Sequence, residues 1–156
     1  MTVVARVYVT TVAAAGVCEK NDNNINSGFL FGWDSSGALR LTVEKSSRNM
    51  RVSAASGTIV SQQWMQLAYT WDGTVANASA AHLFLNGVEL AKTSSTDGSG
   101  TLGFANATNQ PFRIGNAGFD SMAGALNGKI GYLAVYKGRI LTAVEMNQID
   151  SQMPIH

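Results

Sequence analysis

The sequence predicts an all-β fold: a two-sheet antiparallel β-sandwich of jelly-roll type with a short C-terminal helix. Three observations predict it. Short apolar runs with period-two alternation recur along the chain, as in Val3–Val9 and Leu39–Val43. Most of them end in turn chemistry, at Asp34-Ser35-Ser36-Gly37, Asp72-Gly73 and Asn86-Gly87. No alternation of strand and helix patterns runs through the chain, which argues against a parallel sheet. The 156 residues suit one domain, 1–156, able to bury a core without staples.

The elements follow in order. Val3, Ala5, Val7 and Val9 alternate with Val4, Arg6 and Tyr8, as in a strand. Ala13–Cys18 has the small residues of a leader cleavage site. Arg6, Tyr8 and three threonines break the apolar region a leader needs, so the segment is expected to be strand rather than signal peptide. Gly28–Trp33 and Ala38–Glu44 flank a turn and form a hairpin. Trp64–Trp71 is a strand ended by Asp72-Gly73, and its two tryptophans are expected to be core or sheet-covering. Asn86-Gly87 joins His82–Leu85 to Val88–Ala91 and supplies the two positive φ values of a type I′ turn. Strand alternation then turns Leu83, Leu85, Leu133 and Val135 toward the core. Thr93–Gly103 is expected to be loop, and Pro111–Gly115 and Ile130–Tyr136 further strands. Thr142 with Glu145 is a capping-box pattern opening a helix to Gln152. Val144, Ile149 and Met153 are its expected apolar side, and Pro154 stops it.

Composition removes several classes of function. A formal net charge of +1 draws the molecule neither to nucleic acid nor to anionic lipid. Arg40, Lys45, Arg48 and Arg51 lack interleaved aromatics, as on a solvated strand face. No apolar run is long enough to span a bilayer. The single Cys18 forms no internal disulfide and is expected to be a buried thiol. His82 and His156 belong to no zinc spacing, and no glycine motif cradles phosphate. No two acidic residues alternate on a strand, as a glycosidase pair on one sheet face requires. The chain is therefore expected to be no enzyme, with no catalytic residue assigned.

Binding chemistry is what remains. Loop amides and strand-end aromatics suit a sugar ligand, and the candidates are Asn23, Asn24, Trp33, Arg113, Asn116, Phe119 and Asp120. Trp33 suits the core equally well. No metal or other cofactor is expected; if calcium is held, Asp22, Asn24 and Asp120 are the ligands, with the Asn116–Asp120 loop on the rim of Asn21–Asn26.

Three stretches in fixed order carry a family likeness: Trp64–Gly73, Leu83–Val88 and Gly128–Glu145. They are similar to "WHHVAgTyDGt", "LYVNGv" and "GxIDEVriYnraLsxxEi". Residues 2–9 resemble "FTVSAWV" with Arg6 at the usual Trp, and residues 17–43 and 112–115 match further segments. The chain thus resembles the laminin-G-like jelly-roll domains of the concanavalin A-like lectin/glucanase superfamily. The resemblance implies a lectin-like recognition module for carbohydrate or a glycosylated or protein surface. An assembly protein of phage-tail or surface-appendage type is the alternative, and a divergent glycan hydrolase a third. It also implies an extracellular or surface location. Two departures stand out. Ile130-Gly131-Tyr132 replaces the family's "IDE", which removes an acidic pair that helps hold calcium in relatives. The chain begins at Met1 without the family's upstream strand. An unpaired edge at Met1–Thr10 is therefore expected, completed by a second copy in a homo-oligomer or by a partner's strand, the alternative being that Gln152–His156 folds back over it.

Overall fold

The computed structural model describes residues 1–21, 28–44, 49–73, 77–99, 111–117 and 124–153. Thirteen strands occur among them: β1 (Thr2–Val9), β2 (Ala15–Asn21), β3 (Gly28–Trp33), β4 (Leu39–Glu44), β5 (Met50–Ser53), β6 (Trp64–Trp71), β7 (Ala81–Leu85), β8 (Val88–Glu89), β9 (Ser94–Thr96), β10 (Arg113–Ile114), β11 (Asn116–Ala117), β12 (Gly124–Ala125) and β13 (Gly128–Tyr136). A 3-10 turn at Ala78–Ala80 precedes β7, and helix α1 spans Ala143–Gln152. One sheet has the order β13-β1-β6-β7-β8, and the other β10-β2-β3-β4-β5-β9. Every pairing is antiparallel. The two-sheet sandwich with a short C-terminal helix is the architecture the sequence predicts.

The core lies between the sheets. Val3, Ala5, Val7 and Val9 of β1 face the same interior as Leu67 and Tyr69 of β6 and Phe31, Trp33, Leu39 and Leu41 of β3 and β4. The Tyr69 ring meets Phe31 edge-on at 5.0 Å between centroids, a favoured quadrupolar geometry. Gly32 is where β2 bends against β3. A Cβ there would lie 2.2 Å from the Ala15 carbonyl oxygen, beside the register shift between Gly16 and Cys18. That bulge puts Val17, Cys18 and Glu19 in succession out of solvent. A period-two pattern is lost there, which is why β2 does not announce itself in the sequence.

The local predictions hold where the chemistry is strong. Asn86 and Gly87 have φ of 49° and 73°, as a type I′ turn requires. Thr142 and Glu145 form the reciprocal capping box. Leu83 is buried, and Leu85 and Leu133 pack against the core.

Four expectations need correction. Val135 is 46% exposed, on β13 at the edge of its sheet, where a side chain has a neighbouring strand on one side only among the described residues. Val144 and Met153 are exposed; Met146 is the buried residue of α1, with Ile149 packed beside it. A helix lying on an already covered sheet needs only a narrow apolar stripe. Part of the Thr93–Gly103 stretch is strand: β9 pairs with β5 through exposed Ser and Thr side chains, so its stabilisation lies in backbone hydrogen bonds that polarity patterns do not show. Residues 100–103 lie outside the described residues. Lastly, Met1–Thr10 is no exposed edge. β1 is paired on one side with β6 and on the other with β13, which returns from the far end of the chain.

Candidate functional site

At one end of the sandwich the two sheets part around a cleft of about 540 Å³. Its lining comes from strand termini: Met1 before β1, Lys20 near the end of β2, Phe29 near the start of β3, Trp71-Asp72-Gly73 closing β6, and Lys137-Gly138 after β13. Antiparallel pairing gathers these ends at one rim. Phe29 and Trp71 are buried and form the floor. Lys20, Asp72 and Lys137 bring charge to an otherwise apolar wall. The Met1 amino group donates to the Trp71 carbonyl oxygen at 2.5 Å. Burial lowers its pKa, and the Asp72 carboxylate partly offsets that.

Phe112, which does not line the cleft, has its ring 6.3 Å from that of Phe29, and the residue is 39% exposed. Arg113, next in the chain, pairs with Glu19 across β10 and β2, with 2.6 Å between Nη1 and Oε1. The Glu19 side chain is fully buried, so this ion pair anchors β10 and thereby Phe112. A buried carboxylate needs such a partner.

The structure treats the sequence candidates unevenly. Trp33 is 1% exposed, and its indole N–H donates to the Ala13 carbonyl oxygen at 2.7 Å. It is a core residue and presents no ring face to a ligand. Arg113 is engaged by Glu19 and does not line the cleft. Asn116 is exposed on β11, which follows β10 toward the Val17 end of β2. Asn21, the last residue of β2, lies at that strand's other end, about 13 Å from Val17 at the usual rise per residue. Asp22, Asn23, Asn24, Phe119 and Asp120 lie outside the described residues. Phe112 and Lys137 were not singled out from sequence. Adjacency to Arg113 and to the end of the Ile130–Tyr136 strand was the only signal for them.

Among the described residues no three His, Cys, Asp or Glu side chains gather as metal ligands. Tyr132, in the position of a family acid, turns to α1 instead, where its hydroxyl donates to Asp150 Oδ1 at 3.0 Å. Described carboxylates are engaged in structural pairs: Asp34 with Arg40 at 2.6 Å, Asp150 with Arg6 at 2.8 Å, and Glu145 with Arg139 at 2.5 Å. His82, a surface residue, meets Glu89 at 2.6 Å. Cys18 is buried, and desolvation followed by the neighbouring Glu19 charge pushes its thiol pKa up. None of these groups is arranged as a nucleophile with a base.

The described residues thus form a two-sheet antiparallel sandwich with a cleft at one end. Residues 1–147 match the Laminin_G_3 family model, described as concanavalin A-like lectin/glucanases superfamily, and the chain belongs to that family. No curated protein matches it by sequence. Among solved structures it is similar to the Ruminococcus gnavus IT-sialidase CBM40 bound to α2,3-sialyllactose. The TM-score is 0.69 at 15% identity, over 95% of this chain and 80% of that one. A leech intramolecular trans-sialidase complexed with 2,7-anhydro-Neu5Ac gives a TM-score of 0.67 at 16% identity, over 94% of this chain and 22% of the enzyme. The heptameric SAP-like pentraxin of Limulus polyphemus gives 0.57 at 18% identity, over 95% and 68%. At such identities the likeness is one of fold.

Proposed function

We propose that this chain is a non-catalytic carbohydrate-recognition module that binds through the sandwich-end cleft. The observation that carries the proposal is an apolar cleft of about 540 Å³ lined by Phe29 and Trp71, with Lys20, Asp72 and Lys137 on its wall and the exposed Phe112 ring 6.3 Å from that of Phe29. A sugar ring has an apolar C–H face and a polar hydroxyl edge. An aromatic platform beside a few convergent polar groups matches both. The volume falls within the range of small-ligand sites, about 300–1,000 Å³. The sialyllactose-bound CBM40 shows that this fold can present a glycan site, which supports the reading without fixing the ligand.

A glycan array probed with the labelled chain tests it. Binding to a defined set of glycans is expected without release of reducing sugar. Phe112→Ala should weaken it about tenfold or more, equivalent to 1.4 kcal/mol. Retention of affinity in that variant would remove the cleft from the proposal, and turnover of the bound glycan would make the chain an enzyme.

A second reading, assembly through subunit contacts, is favoured by one observation. β13 is nine residues long and, among the described residues, pairs only with β1, which leaves its other side as a sheet edge that a strand from another copy could extend. Light scattering at tens of micromolar separates the two: a strict monomer that binds glycan excludes the assembly role.

A further inference from the structure

We infer that the cleft takes an acidic saccharide, a sugar ring bearing a carboxylate, whose charge is read by Lys137. The inference rests on the carbohydrate proposal and names its ligand class. Its starting point is the accounting of positive charge over the described residues. Arg6, Arg40, Arg113 and Arg139 are each held by a carboxylate. Lys92 donates to the carbonyl oxygens of Ala78 and Ser79 at 3.2 and 2.9 Å. Lys129 lies 6.0 Å above the Tyr8 ring, and Lys20 and Arg51 also have partners. Lys137 alone, among the described lysines and arginines, has none.

That uncommitted ammonium is not on an arbitrary surface. It lines the cleft with Lys20 and Asp72, so the three charged side chains there sum to +1. An ammonium on a flexible stem can follow an incoming anion, while its methylenes add apolar wall. Phe29 and Trp71 below exclude water from one side of the ligand, which strengthens the attraction relative to open solvent. Asp72 tells against a bare anion and favours a ligand that also carries hydroxyl donors. A uronic-acid-type sugar combines both groups; a simple phosphate or sulfate ion does not.

The test uses a matched pair of probes on the intact chain: trigalacturonic acid and its fully methyl-esterified form, which share one sugar body and differ in charge. By titration calorimetry the acid should bind about tenfold or more tighter than the ester. That advantage should shrink between 50 and 500 mM salt as screening shortens to about 4 Å. Lys137→Gln should bring the acid-to-ester ratio close to one, and Lys137→Arg should restore it. Unchanged melting temperatures would show that both variants fold. Equal affinity for acid and ester overturns the inference and leaves carbohydrate recognition standing. A ratio that survives Lys137→Gln overturns the role of Lys137. If neither probe binds and an array of neutral and acidic glycans is also blank, the carbohydrate proposal falls with it.

Discussion

Gln66 Nε2 donates to the main-chain oxygen of Met146 at 2.7 Å, so a sheet side chain is bonded into the backbone of helix α1. The same nitrogen lies 3.1 Å from the Tyr132 hydroxyl, which donates to Asp150, itself paired with Arg6. Three strands thus hold one helix through a partly buried polar chain, around the apolar contacts of Val4, Ala68, Phe84 and Met146. Loss of one member strands its neighbours, and such unsatisfied groups cost about 1–3 kcal/mol. Gln66→Ala is therefore expected to lower Tm by several degrees in a thermal melt, with α1 the first element to lose amide-exchange protection. A wild-type melt would show that the apolar contacts alone seat the helix.

The same network gives an alkaline limit. Burial raises the Tyr132 hydroxyl to about 12, with the Gln66 hydrogen bond opposing and Asp150 adding to the shift. Tyr69, fully buried, is raised as well by desolvation. Both groups hold their protons more tightly in the folded state. Their contribution is complete below the unfolded value near 10 and is lost as pH rises through the folded value. Urea titrations from pH 9 to 12 should show falling stability, and Tyr132→Phe should flatten part of that slope.

Acid acts on the turn between β3 and β4. Burial raises the Asp34 carboxyl, but hydrogen bonds from Ser36 and Ala38, with the Arg40 charge, outweigh it and hold the pKa below the usual value. Stability from this turn is present above the unfolded value near 4 and is lost as pH falls through the folded one. Asp34→Asn should lose stability at neutral pH and show a shallower decline between pH 5 and 2. Equal slopes for both proteins would remove Asp34 from the acid transition.

Gly87 is strained twice over by any side chain. Its φ is 73°, and an added Cβ would lie 2.1 Å from Asn147 Oδ1 on α1. Gly87→Ala should cost about 1–2 kcal/mol from the left-handed backbone alone. Asn147 is exposed and its side chain can swing away, so adding Asn147→Ala should restore little of the loss. Full recovery in the double variant would make the clash, not the backbone, the dominant cost.

Cys18 should be silent to thiol reagents in the native protein, because it is buried and its thiol pKa is raised. Labelling should follow urea unfolding, with the same midpoint as the loss of tryptophan fluorescence. Fast labelling without denaturant would show that β2 opens locally.

Much of the fold is legible in the residues. Asn86-Gly87 has few alternatives to a tight hairpin, and Thr142 with Glu145 caps a helix by direct local bonding. β1 and β4 alternate because one face of each meets a common core, while β3 and β6 read as strands from their buried runs between turn signals. Elements whose pairing is set by distant chain are not legible in this way. β2 hides behind its bulge, β9 is polar on an edge, and the pairing of β1 with β13 joins residues from distant parts of the chain, Thr2 with Tyr136 and Val9 with Gly128. The candidate site is the least legible part. Trp33 looks like a platform from its strand-end position but closes the core. Phe112 has no local pattern at all, and it sits beside Phe29 because the Glu19–Arg113 pair anchors β10 there.

By itself the sequence determined the class of fold, the strongest turns, the helix cap and the burial of Cys18, since each depends on neighbours within a few residues or on periodic burial. Only the tertiary structure decided that β1 is interior, that Val135 is exposed, and that Lys20, Asp72 and Lys137 share one cleft. The reason is physical. Antiparallel pairing brings strand ends from across the chain to one rim, and one sequence carries no local trace of which ends will meet there.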